Sequence, residues 1–564
     1  MVVGGVLALT AASVAPATAS PAPPSPEGAP GASGASDAPG GLPGTLSGTL
    51  DDVLSGVRAG PEARGAAKAA RAAASAGVDW KKCPPVEKLP APVRCGTVSV
   101  PVDYAEPDGE KIKLTVSRTA ATGPKGKRQG PLLYNPGGPG GSGMTFPLFG
   151  AGIGGVWKKL HESYDFVGYA PRGVGRSAPL SCQDPKKFTK GPSDSPLHPS
   201  AAYKRKMRGK AAAYASGCAR AQGDRLRHYT TPDNARDLDV VRAALGAKKL
   251  NFFGVSYGTY IGSVYATLFP SHVRRLVLDS VVDPRAEKVW YRANLEQNPA
   301  FERRWNDWKK WVASHHSVYK LGKSPRAVQR AYDAVRDAAD RSPLGARIGS
   351  KELYEAYLDV GYDDSVWAGQ ASALSAFRKG RPKELLTLAS SSSDKEAAVE
   401  EENGNAVYNA VQCSDAAWPR DWSRWDRDNT ALARKAPFNT WENAWMNLPC
   451  AYWRSAHARP LDVRTAPGEL PPVLLLAATR DAATPYGGAQ ETHRRLAGSS
   501  LVTERGAGTH GVTGGNKCAD AHLRTYLLEG KTPGDGAECA GRPAPEPVAG
   551  AKAAKRTRAG SPEK

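Results

Sequence analysis

The stretch Leu250-Asn251-Phe252-Phe253-Gly254-Val255-Ser256-Tyr257-Gly258-Thr259-Tyr260-Ile261-Gly262 decides the fold. Its opening LNFF is a short apolar run after two lysines, as a strand buried on both faces would be. The run TYIGSVYATLF that follows reads as a helix. Between them, Gly254-x-Ser256-x-Gly258 fits a nucleophile elbow, where the backbone turns so tightly that side chains at the flanking positions would clash. A plain Gly-rich strand-to-helix turn is the alternative, so the argument needs partners elsewhere in the chain.

Working outward, Leu132–Tyr134, Phe166–Tyr169, Leu276–Leu278 and Val473–Ala477 are further apolar runs bounded by turn residues. They suit the central strands of a parallel sheet. Lys111 to Arg118 alternates with period two, which predicts an edge or half-exposed strand. Between Leu278 and Val473 the pattern turns helical: Trp305, Trp308 and Trp311 recur at helical spacing, and 11 of the 13 tryptophans fall between Trp290 and Trp453. Such residues make an aromatic helical core, an aromatic-lined pocket, or both. The expected fold is therefore α/β, a mostly parallel central sheet with helices on both faces and an inserted helical lid. The expected divisions are a first core part at 79–288, the lid at 289–440 and a second core part at 441–545.

A serine hydroxyl is a weak nucleophile near neutral pH and needs a base held by an acid. Asp481 lies just past the strand Val473–Ala477, and His510 follows 29 residues later in the loop Gly506-Ala507-Gly508-Thr509-His510-Gly511. The order Ser256, Asp481, His510 is that of the α/β-hydrolases. Asp279 and Asp283 are competing acids, while His315, His316 and His457 fall in helical or lid regions. The oxyanion needs preorganised donors. The Tyr257 amide is one, and the loop Asn135-Pro136-Gly137-Gly138-Pro139-Gly140-Gly141-Ser142-Gly143 offers Gly138 as the second. No GKS or GKT follows that loop, so a phosphate cradle is a poor reading.

Taken together, NPGGPGGSG, YAPRGVGRS (Tyr169–Ser177), GVSYGTY, TRDAATP and GAGTHG resemble the secreted tripeptidyl aminopeptidases of actinomycetes, within the serine peptidase family that includes proline iminopeptidases. The resemblance covers roughly residues 80–540. It implies an α/β-hydrolase with a helical lid, cleavage of short units from free peptide N-termini, and a triad on Ser256, Asp481 and His510. Relatives often carry an Asp two residues before the Arg of the PRG or QRG motif, where this chain has Ala170. Arg172 and Gly173 read as scaffold. An enzyme that acts on free N-termini must read an ammonium group, for which a carboxylate in a partly desolvated pocket is economical. Glu400, Glu401, Glu402 and Asp415 are the candidates near the lid's return. Asp415 is preferred because AVYNAVQC and Cys413 would hold it near the core; the glutamate run reads more readily as a solvated charge cluster.

Charge and composition narrow the alternatives. The chain has 564 residues and a formal net charge of +21; the N-terminal 78 residues contribute −1 and residues 541–564 contribute +4, leaving +18 on residues 79–540. No basic run or basic-aromatic interleaving marks a nucleic-acid site, and no apolar run reaches the roughly 18 residues needed to span a bilayer. Residues 1–19 read as a signal peptide ending in Ala17-Thr18-Ala19, 20–78 as a disordered linker or pro-segment whose Ala/Arg-rich part, 51–78, is a candidate helix, and 546–564 as a basic flexible tail. Export would oxidise the eight cysteines, which have no CxxC pair. The expected bridges join nearest neighbours: Cys83 with Cys95, Cys182 with Cys218, Cys413 with Cys450, and Cys518 with Cys539. The expectation is a secreted, extracellular monomer acting on peptides with a free N-terminus, with no cofactor, metal, nucleic acid or membrane partner. An anionic cell-wall surface is the remaining candidate contact. The rival functions are a carboxylesterase or lipase using the same triad, and a non-catalytic wall-polymer-binding protein.

Overall fold

A computed structural model describes residues 58–390 and 395–548. The expected signal peptide, the expected linker as far as residue 57 and the expected tail from residue 549 lie outside the described residues.

Ten strands form one sheet in the order β1-β2-β3-β5-β4-β6-β7-β8-β9-β10. From β5 (Asp165–Tyr169) through β4 (Pro131–Asn135), β6 (Leu250–Val255), β7 (Val273–Asp279), β8 (Val473–Ala478), β9 (Ser499–Arg505) and β10 (Glu538–Ala540) every pairing is parallel. The short apolar runs occupy the middle of this sheet, and all six residues of β8 are buried. β1 (Lys81–Lys82), β2 (Arg94–Pro101) and β3 (Lys111–Thr119) extend it with antiparallel pairings. The alternating strand β3 is not at an edge: it pairs with both β2 and β5. β3 is most open to solvent at residues 111–113; beyond them the polar Thr115 and Ser117 are buried along with Leu114 and Val116, so both faces are covered there despite the alternation.

Part of the expected linker is built into the fold. Pro61–Ala76 forms helix α1, which buries Ala66, Ala70 and Ala73, and Arg58 before it pairs with Glu469 at 2.6 Å. Three further core helices matter for the site. These are α2 (Ala201–Gln222), α3 (Thr231–Ala244) and α4 (Tyr257–Leu268), the last following the elbow directly.

The chain between β7 and β8 is helical. Five of its helices are α5 (Tyr291–Ser314), α6 (Pro325–Arg341), α7 (Ser350–Leu358), α8 (Trp367–Arg378) and α9 (Lys395–Asp415). They are followed by α10 (Trp422–Ala433) and α11 (Thr440–Asn447). Trp305, Trp308 and Trp311 of α5 are buried with Val328, Tyr332 and Tyr357 in a core of the lid's own. Trp305 stacks on Phe438 at 4.4 Å between centroids. These tryptophans therefore hold the lid together and do not line the cavity.

All eight cysteines are paired: Cys83–Cys95, Cys182–Cys218, Cys413–Cys450 and Cys518–Cys539. Arg172 is buried and bonds Asp237 of α3 through Nε at 2.8 Å and Nη2 at 2.7 Å. The Tyr104 hydroxyl donates to the same carboxylate at 2.7 Å, so the carboxylate facing Arg172 comes from α3 and not from position 170. Among the described residues no helix is long and apolar enough to cross a membrane.

Candidate active site

Ser256 sits between β6 and α4 with φ +57° and ψ −127°, a region a non-glycine residue occupies only when the surroundings force it. Its N–H donates to the Asp279 carbonyl at 3.0 Å, which fixes the turn to the neighbouring strand. A Cβ on Gly258 would lie 2.5 Å from the Asn135 carbonyl oxygen, so the second glycine of the motif lets the loop after β4 pass directly over the elbow. On that loop a Cβ on Gly137 would come within 2.8 Å of both Ser256 Cβ and Tyr257 N. Gly137 donates to Asn135 Oδ1 at 2.9 Å, whereas the Gly138 N–H has no partner among the described residues. Tyr257 is the first residue of α4, where a helix leaves its N–H unpaired. Gly138 and Tyr257 thus each leave an amide without a backbone partner among the described residues, on the loop and the turn that Gly137 brings together.

His510 Nδ1 lies 2.8 Å from Asp481 Oδ2 and 3.1 Å from Oδ1. Asp481 is buried; it accepts from the amides of Ala483 at 2.9 Å and Thr484 at 3.0 Å, and from Thr484 Oγ1 at 3.0 Å. Burial alone would lower the His510 pKa, but the Asp481 charge and hydrogen bond outweigh it and hold the imidazole above its ordinary value. Of the competing acids, Asp283 pairs with Arg285 at 2.5 Å. Asp279 clamps the histidine loop instead, accepting from the amides of Val512 at 2.8 Å and Thr513 at 2.9 Å and from Thr513 Oγ1 at 2.7 Å. The lid adds a further hold: the His510 amide donates to the Tyr362 carbonyl at 2.7 Å.

Ser256, Tyr257, Gly138 and His510 line one cavity of about 790 Å³ between core and lid. Among the predicted carboxylates Glu401 lines it and Asp415 and Glu402 do not. Asp415 is buried, with Oδ1 taking the Thr231 amide and Oδ2 taking the Thr231 hydroxyl, each at 2.6 Å, while Trp290 Nε1 donates to Oδ2 at 3.0 Å. Glu402 is also buried, and its Oε1 accepts from the amides of Cys182 at 2.8 Å and Gln183 at 3.2 Å. Both carboxylates face the protein interior, because their helix presents them to the core and not to the cavity.

Glu442 of α11 stands on the cavity wall and was not singled out from the sequence. Burial drives its carboxyl up to about 7 against the opposing pull of Lys351 and a Ser195 hydrogen bond, and Glu355 and Glu352 push the same way as burial. Beside it runs a ladder of asparagines: Asn443 Nδ2 donates to the Asn294 carbonyl at 2.7 Å, and Asn439 Nδ2 to Asn298 Oδ1 at 2.9 Å. The four-residue repeat of Asn439, Asn443 and Asn447 was visible in the sequence; its opposite rail, Asn294 and Asn298, is too far along the chain to be linked without the fold.

The family description "TAP-like protein" matches residues 436–539. The tripeptidyl aminopeptidase of Streptomyces lividans is 52% identical over 474 residues, covering 84% of this chain and 88% of that protein. The chain belongs to the tripeptidyl aminopeptidase family. Members and relatives of this α/β-hydrolase group include the serine protease Hip1 of Mycobacterium tuberculosis, 31% identical over 82% of this chain and 91% of that one. A protein named carboxylesterase B from the same organism is also 31% identical, over 79% of this chain and 86% of its own length.

Proposed function

We propose that the protein is a secreted serine exopeptidase that releases tripeptides from free peptide N-termini through an acyl-enzyme on Ser256. The observation that carries this reading is the shared cavity, which Ser256, His510 with Asp481 behind it, Gly138 and Tyr257 border beneath a lid wall bearing carboxylates. His510 takes the Ser256 proton as the hydroxyl attacks the scissile carbonyl, and returns it to the leaving amine. Asp481 keeps the imidazole oriented and stabilises its charged form. The Gly138 and Tyr257 amides hold the developing oxyanion, and water then releases the acyl group.

The substrate ammonium is read by Glu442, with Glu401 the second carboxylate on that wall. A cation delivered by the substrate relieves the burial and like-charge repulsion that raise the Glu442 carboxyl. The relative named carboxylesterase B keeps an esterase reading in view, but charged groups such as Glu401, Glu442, Lys210 and Lys351 on the lining suit a peptide terminus better than an acyl chain. Four closed disulfides suit an oxidising compartment, in line with the Ala17-Thr18-Ala19 pattern.

Mass analysis of digests of free and N-acetylated peptides, with Ser256→Ala as control, tests the reading. Tripeptides should appear only from free N-termini and only with Ser256 present. Equal cleavage of blocked peptides, or a fully active Ser256→Ala, would refute it.

A further inference from the structure

Asp415 is costly where it lies, buried away from the cavity with no Lys, Arg or His paired to it among the described residues. Burial pushes its carboxyl up to about 7, against the donors Thr231 and Trp290; Asp233 adds repulsion, and the Tyr257 and Tyr260 phenols face it. What it holds is specific. Thr231 Oγ1 is 2.6 Å from Asp415 Oδ2 and 2.6 Å from the Tyr257 hydroxyl. A threonine hydroxyl has one proton, and an ionised carboxylate can only accept. With Asp415 ionised, that proton goes to the carboxylate and the Tyr257 hydroxyl donates to Thr231, which links Tyr257, Thr231 and Asp415 in one chain.

The chain joins three parts of the molecule. Asp415 ends α9, and Cys413, two residues earlier, is bonded to Cys450. Trp290, the third donor-side partner, precedes α5 at the other end of the lid, and its ring lies edge-on to Tyr260 at 4.9 Å. Thr231 opens α3, and Tyr257 opens α4. Trp290, ahead of the lid's first long helix, and Asp415, at the end of α9, thus converge with Thr231 on Tyr257, the residue that follows Ser256.

We propose that Asp415 is a positioning residue for the oxyanion hole, fixing the turn after Ser256 through Thr231 and the Tyr257 side chain. This rests on the reading of the Tyr257 amide as an oxyanion donor. Oxyanion stabilisation depends on donors held at 2.7–3.1 Å from where the charge develops, so loosening the turn affects the transition state more than substrate binding.

The test compares Thr231→Val, Tyr257→Phe, their double variant and Thr231→Ser, with kcat normalised to sites titrated by a fluorophosphonate. Each of the first two variants should lower kcat about tenfold with KM changed less than about twofold, the scale of one lost hydrogen bond. The double variant should lose no more than either single one, because both break the same chain. Thr231→Ser keeps the hydroxyl and should restore kcat. Wild-type kcat per titrated site in the single variants, or losses that multiply in the double, would overturn the proposal. If the fluorophosphonate fails to label Ser256 in the wild-type protein, the underlying reading of the site fails instead, and the two failures are distinguishable.

Discussion

The core side and the lid side of the cavity are held in place by different means. On the core side, short-range backbone does much of the positioning: Ser256 is held by a strained turn, Gly137 by its close approach to that turn, and Asp481 by amides two and three residues ahead, while the Asp279 carboxylate clamps the His510 loop. On the lid side, side chains from distant segments do it. Asn443 reaches Asn294 across 149 residues, and Glu442 stands where Lys351 and Ser195 from two other segments converge. Chemistry built on local backbone tolerates little change. A wall built from long-range side-chain contacts can change its selectivity by degrees, so variants on the core side should alter turnover and variants on the lid side should alter binding.

The sharpest break of this comparison is Asp481→Asn. It leaves the loop amides in place but presents the wrong partner to His510 Nδ1, and kcat should fall on the order of 10⁴-fold with KM little changed. Steady-state kinetics on a free tripeptide anilide would check it.

Glu442→Gln makes the opposite demand. KM for free N-terminal tripeptides should rise about tenfold, one charge contact's worth, with kcat within about twofold and no effect on N-acetylated substrates. A fall in kcat alone would place Glu442 outside the ammonium site.

A smaller effect is expected in pH dependence. His510 must be neutral to accept the Ser256 proton, and its pKa is raised in the folded protein. The protonated, inactive form therefore persists to higher pH, and the acid limb of kcat/KM should lie above about 6.5, the usual histidine value. The residual activity of Asp481→Asn should show that limb displaced to lower pH, because the charge that raises it is gone. The same raised pKa makes His510 stabilising below about 6.5, a contribution lost as pH climbs through the folded value.

The contrast also explains what the sequence made legible. The elbow, the aspartate after β8 and the histidine loop are short motifs whose residues act within a few positions of one another, and each could be placed on a strand end or loop from local pattern. The sequence reading gives Asp415 a substrate-facing role near Cys413, whereas its side chain faces the interior; that direction depends on how α9 packs against the start of α3, and no local pattern encodes it. Glu442 carried no local mark beyond the asparagine repeat around it. β3 shows the same limit, since its alternation suggests one open face, whereas its pairing with β5 and the packing over it bury Thr115 and Ser117 as well. For α1 the Ala/Arg-rich composition allows a helix, but it does not tell that Ala66, Ala70 and Ala73 share one face buried against the core.

The most direct measurement of the central claim is the ratio of kcat/KM for a free tripeptide anilide to that for its N-acetylated form, in the wild type and in Glu442→Gln. A core that supplies chemistry beneath a lid that reads the terminus predicts a large ratio in the wild type, which Glu442→Gln reduces about tenfold through KM alone. A ratio near one in the wild-type protein, or one that Glu442→Gln leaves untouched, would contradict that account.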